Sequence, residues 1–137
     1  EGHPAKNGIS GTASKVFRQV EPLLPPQKIL ATNTSTIPLA RMANELQNLG
    51  CFCGLHFFLP IPYRAVVEVV LESGSSAQTL ATAVRLVPRL GMIPQVVEAR
   101  AGILDNRLLL AGLNEAVQVL EEGYRSEQTD RQAQQFG

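Results

Sequence analysis

The order of apolar patterns along the chain is the feature that most restricts its fold. Four short apolar segments predict β-strands, at residues 28–32, 51–58, 65–72 and 93–99. Helical patterns precede the first, second and fourth of these segments, and from Ala101 onwards the patterns are helical only. Strands that alternate with helices are typical of an α/β sheet. We therefore predict an α/β domain at residues 1–100, followed by the beginning of an all-helical domain at residues 101–137.

Proline, glycine and hydroxyl side chains mark the ends of these elements. Ser35 or Thr36 is predicted to cap a helix over residues 39–46, and Pro38 suits its first turn. The segment "LPIPY" between the second and third strands cannot be a central strand, because proline donates no ladder hydrogen bond. It is predicted to be a loop that turns the chain back, so that the two strands are neighbours.

Charge and hydropathy exclude some classes of partner. The chain of 137 residues has 12 Lys plus Arg and 12 Asp plus Glu, so its net charge is zero. We expect no nucleic-acid partner held by phosphate neutralisation. We also expect no membrane partner, because no apolar run approaches the length of a span and no signal-peptide core follows the first residues. The chain does not begin with Met, and we expect it to be a fragment of a longer protein.

Two cysteines stand together in "CFCGLH". Cys51 and Cys53 would point to one face of a strand and are too close along an extended chain for a disulfide. A metal site that includes His56 is an alternative, but C-x-C-x-x-H is a weak zinc spacing without a fourth ligand. We predict no metal and two reduced thiols, which are typical of a cytoplasm-like compartment.

The stretch "GLHFFLPIPYRAVVEVV" places a titratable ring and a carboxylate in apolar surroundings. Burying Glu68 among valines is costly unless the carboxylate is paired or hydrogen-bonded, and His56 on the neighbouring strand is a suitable partner. The pair would form a general base with its orienting acid. In the alternative interpretation, Glu68 points to solvent from a half-exposed strand and His56 is a satisfied core ring.

Four quoted segments resemble a known family. "ILATNTSTIPL", "GLHFF" with its two following prolines, "VVEVV" and "GILDNRLLLAGLNEAVQVLEEG" look like the 3-hydroxyacyl-CoA dehydrogenases, from about Val16 to Gly137. The spacings also match, with 21 residues from Ser35 to His56, 12 from His56 to Glu68 and 38 from Glu68 to Asn106. The resemblance implies the distal part of a Rossmann-like NAD-binding domain, followed by the first helices of an all-α C-terminal domain.

The family's chemistry implies roles for particular residues. The resemblance implies oxidation of an L-3-hydroxyacyl-CoA with NAD, in fatty-acid β-oxidation or a related pathway, with His56 as general base and Glu68 as its partner. Ser35 and Asn106 would position the reacting oxygen, and Asn33 and Ser35 would contact NAD. The full-length protein is expected to be a homodimer that binds an acyl-CoA. Its expected location is the cytoplasm, or mitochondria or peroxisomes in a eukaryote.

Three departures from the family keep other functions open. The sequence has no G-x-G-x-x-G unit, Gly8 and Ala13 stand where the family has Glu and Lys, and Leu59 replaces the Asn of "HFFNP". A non-catalytic scaffold or acyl-binding relic of the family is one alternative. A dehydrogenase of free hydroxy acids or sugar acids is another.

Overall fold

The computed structural model describes residues 9–136, with side chains from Lys15 onwards except that of Pro62. Gly8, one of the departures from the family, therefore lies outside the described residues, and so does the side chain of Ala13. The chain divides into two compact units between Ile103 and Leu104.

The first unit contains helices and strands in the predicted order, which confirms that reading of the apolar patterns. The elements are α1 (Ile9–Val20), β1 (Leu30–Thr32), α2 (Leu39–Ala43), β2 (Phe52–Phe57), β3 (Val66–Leu71), α3 (Ala77–Arg89) and β4 (Ile93–Glu98). Three single turns of 3₁₀ helix lie between them, at Glu21–Leu23, Leu49–Cys51 and Ile61–Tyr63. The last of these turns is in the proline-bearing loop, which the sequence had excluded from the sheet.

The second unit is helical in its described part. It consists of α4 (Asp105–Glu121) and α5 (Ser126–Phe136), and Gly123 follows α4 with a φ of 98°, in the left-handed region that favours glycine. None of the helices in residues 9–136 has the length and apolar character that a membrane span requires.

The four strands form one mixed sheet in the order β1-β2-β3-β4. β1 is parallel to β2, β2 is antiparallel to β3, and β3 is parallel to β4. The carboxyl ends of β1 and β2 and the beginning of β3 consequently lie at the same edge of the sheet. We call this the reactive edge.

Each face of the sheet has its own apolar cluster, because successive strand residues point to opposite faces. On one face Phe52 and Val70 pack with Leu39 and Met42 of α2. On the other face Cys53, Val67 and Val69 of the sheet pack with Ala83 and Val87 of α3. His56 and Glu68 have the same parity as Phe52 and Val70, so their side chains are on the α2 face.

α2 is shorter than predicted and begins differently. It ends at Ala43, and Pro38 occupies its N-cap position without a side-chain cap, so the prediction that Ser35 or Thr36 caps it is wrong. Instead, the Thr34 hydroxyl accepts a hydrogen bond from the Ile37 N–H at 3.1 Å. A proline disfavours helical geometry in the residue before it, so Ile37 stays outside the helix and the N-cap falls at Pro38, after Ser35 and Thr36.

Gly54 allows α2 to approach the sheet closely. A Cβ at this position would lie 2.9 Å from the Val70 Cβ and 3.2 Å from the Leu39 Cδ2. Since Leu39 is the first residue of α2, this close packing fixes the end of the β1–α2 loop. That loop carries Asn33 and Ser35 at the reactive edge.

The two thiols should react at very different rates. Cys53 is fully buried, and burial raises the pKa of its thiol to about 11, whereas Cys51 is partly exposed. At pH 8 roughly one Cys53 thiol in a thousand would be ionised. We predict that iodoacetamide alkylates Cys51 in the native protein and Cys53 only after denaturation, as located by peptide mass spectrometry.

A Cys51→Ser variant provides the control, since native labelling should then nearly disappear. Equal native labelling of both cysteines would contradict the burial of Cys53.

Candidate active site

The histidine and the glutamate are directly opposite each other on β2 and β3. His56 pairs with Glu68 in the antiparallel register, and His56 Nδ1 lies 2.7 Å from Glu68 Oε2. Both residues are buried, with relative exposures of 6% for His56 and 2% for Glu68. The predicted pairing is confirmed, and the alternative in which Glu68 points to solvent is wrong.

Burial of both groups makes their hydrogen bond strongly favoured. A carboxylate only accepts hydrogen bonds, so Nδ1 of His56 donates to Glu68. In the neutral ring the proton on Nδ1 leaves Nε2 as an acceptor, which can take a proton from a neighbouring hydroxyl. The geometry therefore has the form of a general base that a buried carboxylate orients.

Asn33 extends the β1–β2 ladder toward this pair. The last paired residues of the two strands are Thr32 and Gly54, two positions before His56. Beyond them the Asn33 Oδ1 accepts a hydrogen bond from the Phe57 backbone N–H at 2.8 Å. The side-chain amide thus replaces the strand carbonyl that β1 no longer provides, and it fixes the backbone next to His56.

Of the two other predicted site residues, one lies in each unit. Ser35 is partly buried in the β1–α2 loop, two residues after Asn33. Asn106 is partly buried at the second position of α4, in the second unit. Their roles in positioning the reacting oxygen stay predictions, as does the contact of Asn33 and Ser35 with NAD.

Phe58 is a neighbour of His56 that the sequence interpretation missed. Its ring centroid lies 4.7 Å from that of the imidazole, with the ring planes at 73°. The signal was present, because residues two apart on an extended segment share a face. The next residue, Leu59, is 78% exposed, so the side chain that departs from the family motif is directed largely to solvent.

The described residues contain no group of three or more His, Cys, Asp and Glu side chains that could hold a metal ion. Cys51 lies in the 3₁₀ turn Leu49–Cys51, before β2 begins. The expectation that both cysteines follow strand alternation is therefore wrong. Cys53 packs in the cluster on the α3 face, whereas His56 is on the opposite face.

A comparison with protein families identifies the domain. Residues 12–100, more than half of the chain, match the family described as "3-hydroxyacyl-CoA dehydrogenase, NAD binding domain". The matched range contains His56, Glu68, Asn33 and Ser35, but not Asn106.

Two solved structures with similar folds are 3-hydroxybutyryl-CoA dehydrogenases. The (S)-3-hydroxybutyryl-CoA dehydrogenase of Ralstonia eutropha is 32% identical with a TM-score of 0.82, over 90% of this chain and 44% of that one. The 3-hydroxybutyryl-CoA dehydrogenase of Escherichia coli K12 is 31% identical with a TM-score of 0.81, over 88% of this chain and 25% of that one.

A third similar structure is a dehydrogenase of a pyridine carboxylic acid. It is 5-formyl-3-hydroxy-2-methylpyridine 4-carboxylic acid 5-dehydrogenase, an NAD⁺-dependent dismutase, and it is 28% identical with a TM-score of 0.85, over 91% of this chain and 41% of that one. The chain thus spans less than half the length of these three proteins.

These likenesses confirm two expectations from the sequence. The fold is α/β, the distal part of a Rossmann-like domain followed by helices. The cofactor of the matched domain is NAD.

The buried pair should also contribute to stability. His56→Leu removes the imidazole while the Glu68 carboxylate stays in a position with 2% exposure. We predict that the free energy of unfolding falls by about 3 kcal/mol, because the loss of one partner from a buried pair leaves its charge poorly compensated. Urea unfolding measures this change.

The double variant His56→Leu/Glu68→Leu serves as the comparison. It should be more stable than His56→Leu alone, because the carboxylate no longer has to be buried. If the loss of stability in the double variant equalled the sum of the losses in His56→Leu and Glu68→Leu, an energetic coupling of the pair would be contradicted.

Proposed function

Because the chain belongs to the 3-hydroxyacyl-CoA dehydrogenase family, we propose that the protein containing it oxidises an L-3-hydroxyacyl-CoA to a 3-ketoacyl-CoA. The reaction would serve fatty-acid β-oxidation or a related acyl-CoA pathway. The observation that carries the proposal is the buried His56–Glu68 hydrogen bond at the reactive edge of an NAD-binding domain. The activity is proposed for the whole protein, since this chain spans less than half of its relatives.

In this proposal His56 is the general base. Its Nε2 accepts the proton of the substrate's 3-hydroxyl while Nδ1 keeps its hydrogen bond to Glu68. Bound NAD supplies the acceptor for the hydride that leaves C3, so the substrate loses one hydride and one proton and the C–O single bond becomes a carbonyl. Glu68 stabilises the imidazolium that forms and keeps the ring in position.

The family resemblance suggests roles for two neutral polar residues in the proposed reaction. Ser35 and Asn106 would donate hydrogen bonds to the reacting oxygen and so stabilise the developing alkoxide. In this protein those two assignments rest on the family resemblance, whereas the orientation of His56 rests on contacts within the first unit.

Asn33 and Ser35 are the residues of this chain that we propose contact the reactive end of NAD. Dinucleotides bind outside the carboxyl ends of the strands in open α/β sheets, which is where Asn33 and Ser35 lie. Asn33 uses its Oδ1 for the Phe57 N–H and retains its amide NH₂ as a donor. Because the sequence has no G-x-G-x-x-G unit, residues outside this chain would bind the pyrophosphate.

A second candidate is a dehydrogenase whose substrate is not a CoA ester. One similar structure is a dehydrogenase of a pyridine carboxylic acid, at 28% identity. The His56–Glu68 pair would serve either reaction, because it acts on the hydroxyl and not on the thioester.

The base can be tested in the full-length protein. With (S)-3-hydroxybutyryl-CoA and NAD we predict that His56→Gln lowers kcat by about 10²–10⁴-fold, the usual contribution of a positioned base. NADH absorbance measures the rate. The exposed surface variant Arg85→Gln should match the wild type, and wild-type turnover by His56→Gln would remove His56 from its role.

The substrate class needs a separate comparison. We predict that the full-length protein has a much higher kcat/KM for (S)-3-hydroxybutyryl-CoA than for free (S)-3-hydroxybutyrate. A preference for the free acid would favour the second candidate. No turnover of any hydroxy substrate, together with intact folding, would favour a non-catalytic scaffold.

The 137-residue chain alone should bind NAD weakly or not at all, because it contains no glycine-rich cradle for the pyrophosphate. Titration calorimetry measures this affinity, and the full-length protein is the positive control. Tight binding of NAD to the chain alone would contradict the prediction.

A further inference from the structure

We propose that Phe58 is a positioning residue whose ring holds the His56 imidazole in the orientation needed for proton transfer. This inference rests on the proposed function, in which Nε2 of His56 receives the substrate's proton. The observation behind it is the perpendicular contact between the two rings, with centroids 4.7 Å apart and planes at 73°.

A hydrogen bond at one nitrogen does not by itself fix a ring. The bond from Nδ1 to Glu68 Oε2 sets the tautomer and one direction of the imidazole. The imidazole can still turn through some range about its Cβ–Cγ bond before this hydrogen bond breaks, and that rotation displaces Nε2. An aromatic ring packed across the imidazole blocks that motion, so the two contacts together determine where Nε2 points.

Phe58 is itself held in place by the end of the sheet. β2 ends at Phe57, and the Phe57 N–H donates to the Asn33 Oδ1 at 2.8 Å. This bond restrains the peptide unit between His56 and Phe57, one residue before the peptide unit that leads into Phe58. Asn33 therefore acts on the base through the backbone, in addition to any contact with the cofactor.

The contacts of Phe58 distinguish it from an ordinary core residue. Among the described residues it is only partly buried and belongs to neither of the two apolar clusters of the sheet. Its aromatic partner is His56. A ring that contributed only to the core would be expected to pack with the apolar side chains of one face.

Two variants of the full-length protein distinguish the effect of the aromatic ring from the effect of side-chain volume. Phe58→Leu removes the ring but keeps apolar volume, and Phe58→Tyr keeps the ring. Phe17→Leu is the matched control, because Phe17 makes a similar perpendicular contact with Phe52, at 5.7 Å and 67°, within the cluster on the α2 face. If Phe58→Leu fails to fold by circular dichroism, Phe58→Met replaces it.

Kinetics supply the first readout. We expect Phe58→Leu to lower kcat about tenfold or more, since small misplacement of a reacting group is costly, while KM for substrate and NAD stays within about twofold. Phe58→Tyr should restore kcat, and Phe17→Leu should leave it unchanged. An unchanged kcat in Phe58→Leu, or a change confined to KM, would overturn the proposal.

NMR of the histidine ring protons supplies a readout that does not need activity. The Nδ1–H proton of His56, assigned by its loss in His56→Gln, should exchange with solvent faster in Phe58→Leu and at the wild-type rate in Phe58→Tyr and Phe17→Leu, because a less restrained ring opens its hydrogen bond to Glu68 more often. An unchanged exchange rate in Phe58→Leu would overturn the proposal. If the wild-type protein oxidises no 3-hydroxyacyl-CoA, the proposed function fails, and these spectra alone decide whether Phe58 restrains the ring.

Discussion

The hydrogen bond between His56 and Glu68 is the interaction on which the candidate site depends. A carboxylate with 2% exposure is tolerated only with strong partners, and the imidazole is one of them. The bond requires that β2 and β3 pair in one register. A slip by one residue would turn Glu68 to the α3 face and place a valine opposite His56. The cost of burying the charge therefore specifies the register as well as the site.

The surrounding fold brings other groups to the same edge. Because β1 and β2 are parallel, the loop after β1 and the end of β2 lie together. Gly54 lets Leu39 pack closely against β2, so that the β1–α2 loop stays at the edge of the sheet where β2 ends. The Asn33 side chain then replaces the missing strand partner of Phe57. Packing and hydrogen bonding thus hold one edge of the sheet in a defined geometry, as the proposed proton transfer would require.

Much of this arrangement could be predicted from the sequence, because it follows from local patterns and from the cost of buried charge. The alternation of strands and helices predicted the element order. The isolated Glu68 among valines left two interpretations open, and the family resemblance favoured the one in which Glu68 pairs with His56 on the neighbouring strand. The cap of α2 was missed because the Thr34 hydroxyl and the effect of Pro38 on Ile37 outweigh the usual preference for Ser or Thr. The Asn33–Phe57 bond depends on the path of the backbone beyond a strand end, which residue types alone do not specify.

In the proposed mechanism Glu68 holds the proton on Nδ1 of His56 and leaves Nε2 as the acceptor. Nitrogen-15 NMR of the histidine side chains in the full-length protein tests this assignment directly, at a pH where the His56 ring is neutral. We predict that Nδ1 carries the proton and Nε2 does not, and that Glu68→Leu removes this preference. A neutral His56 ring in the wild-type protein with its proton on Nε2 would show that the assignment is wrong.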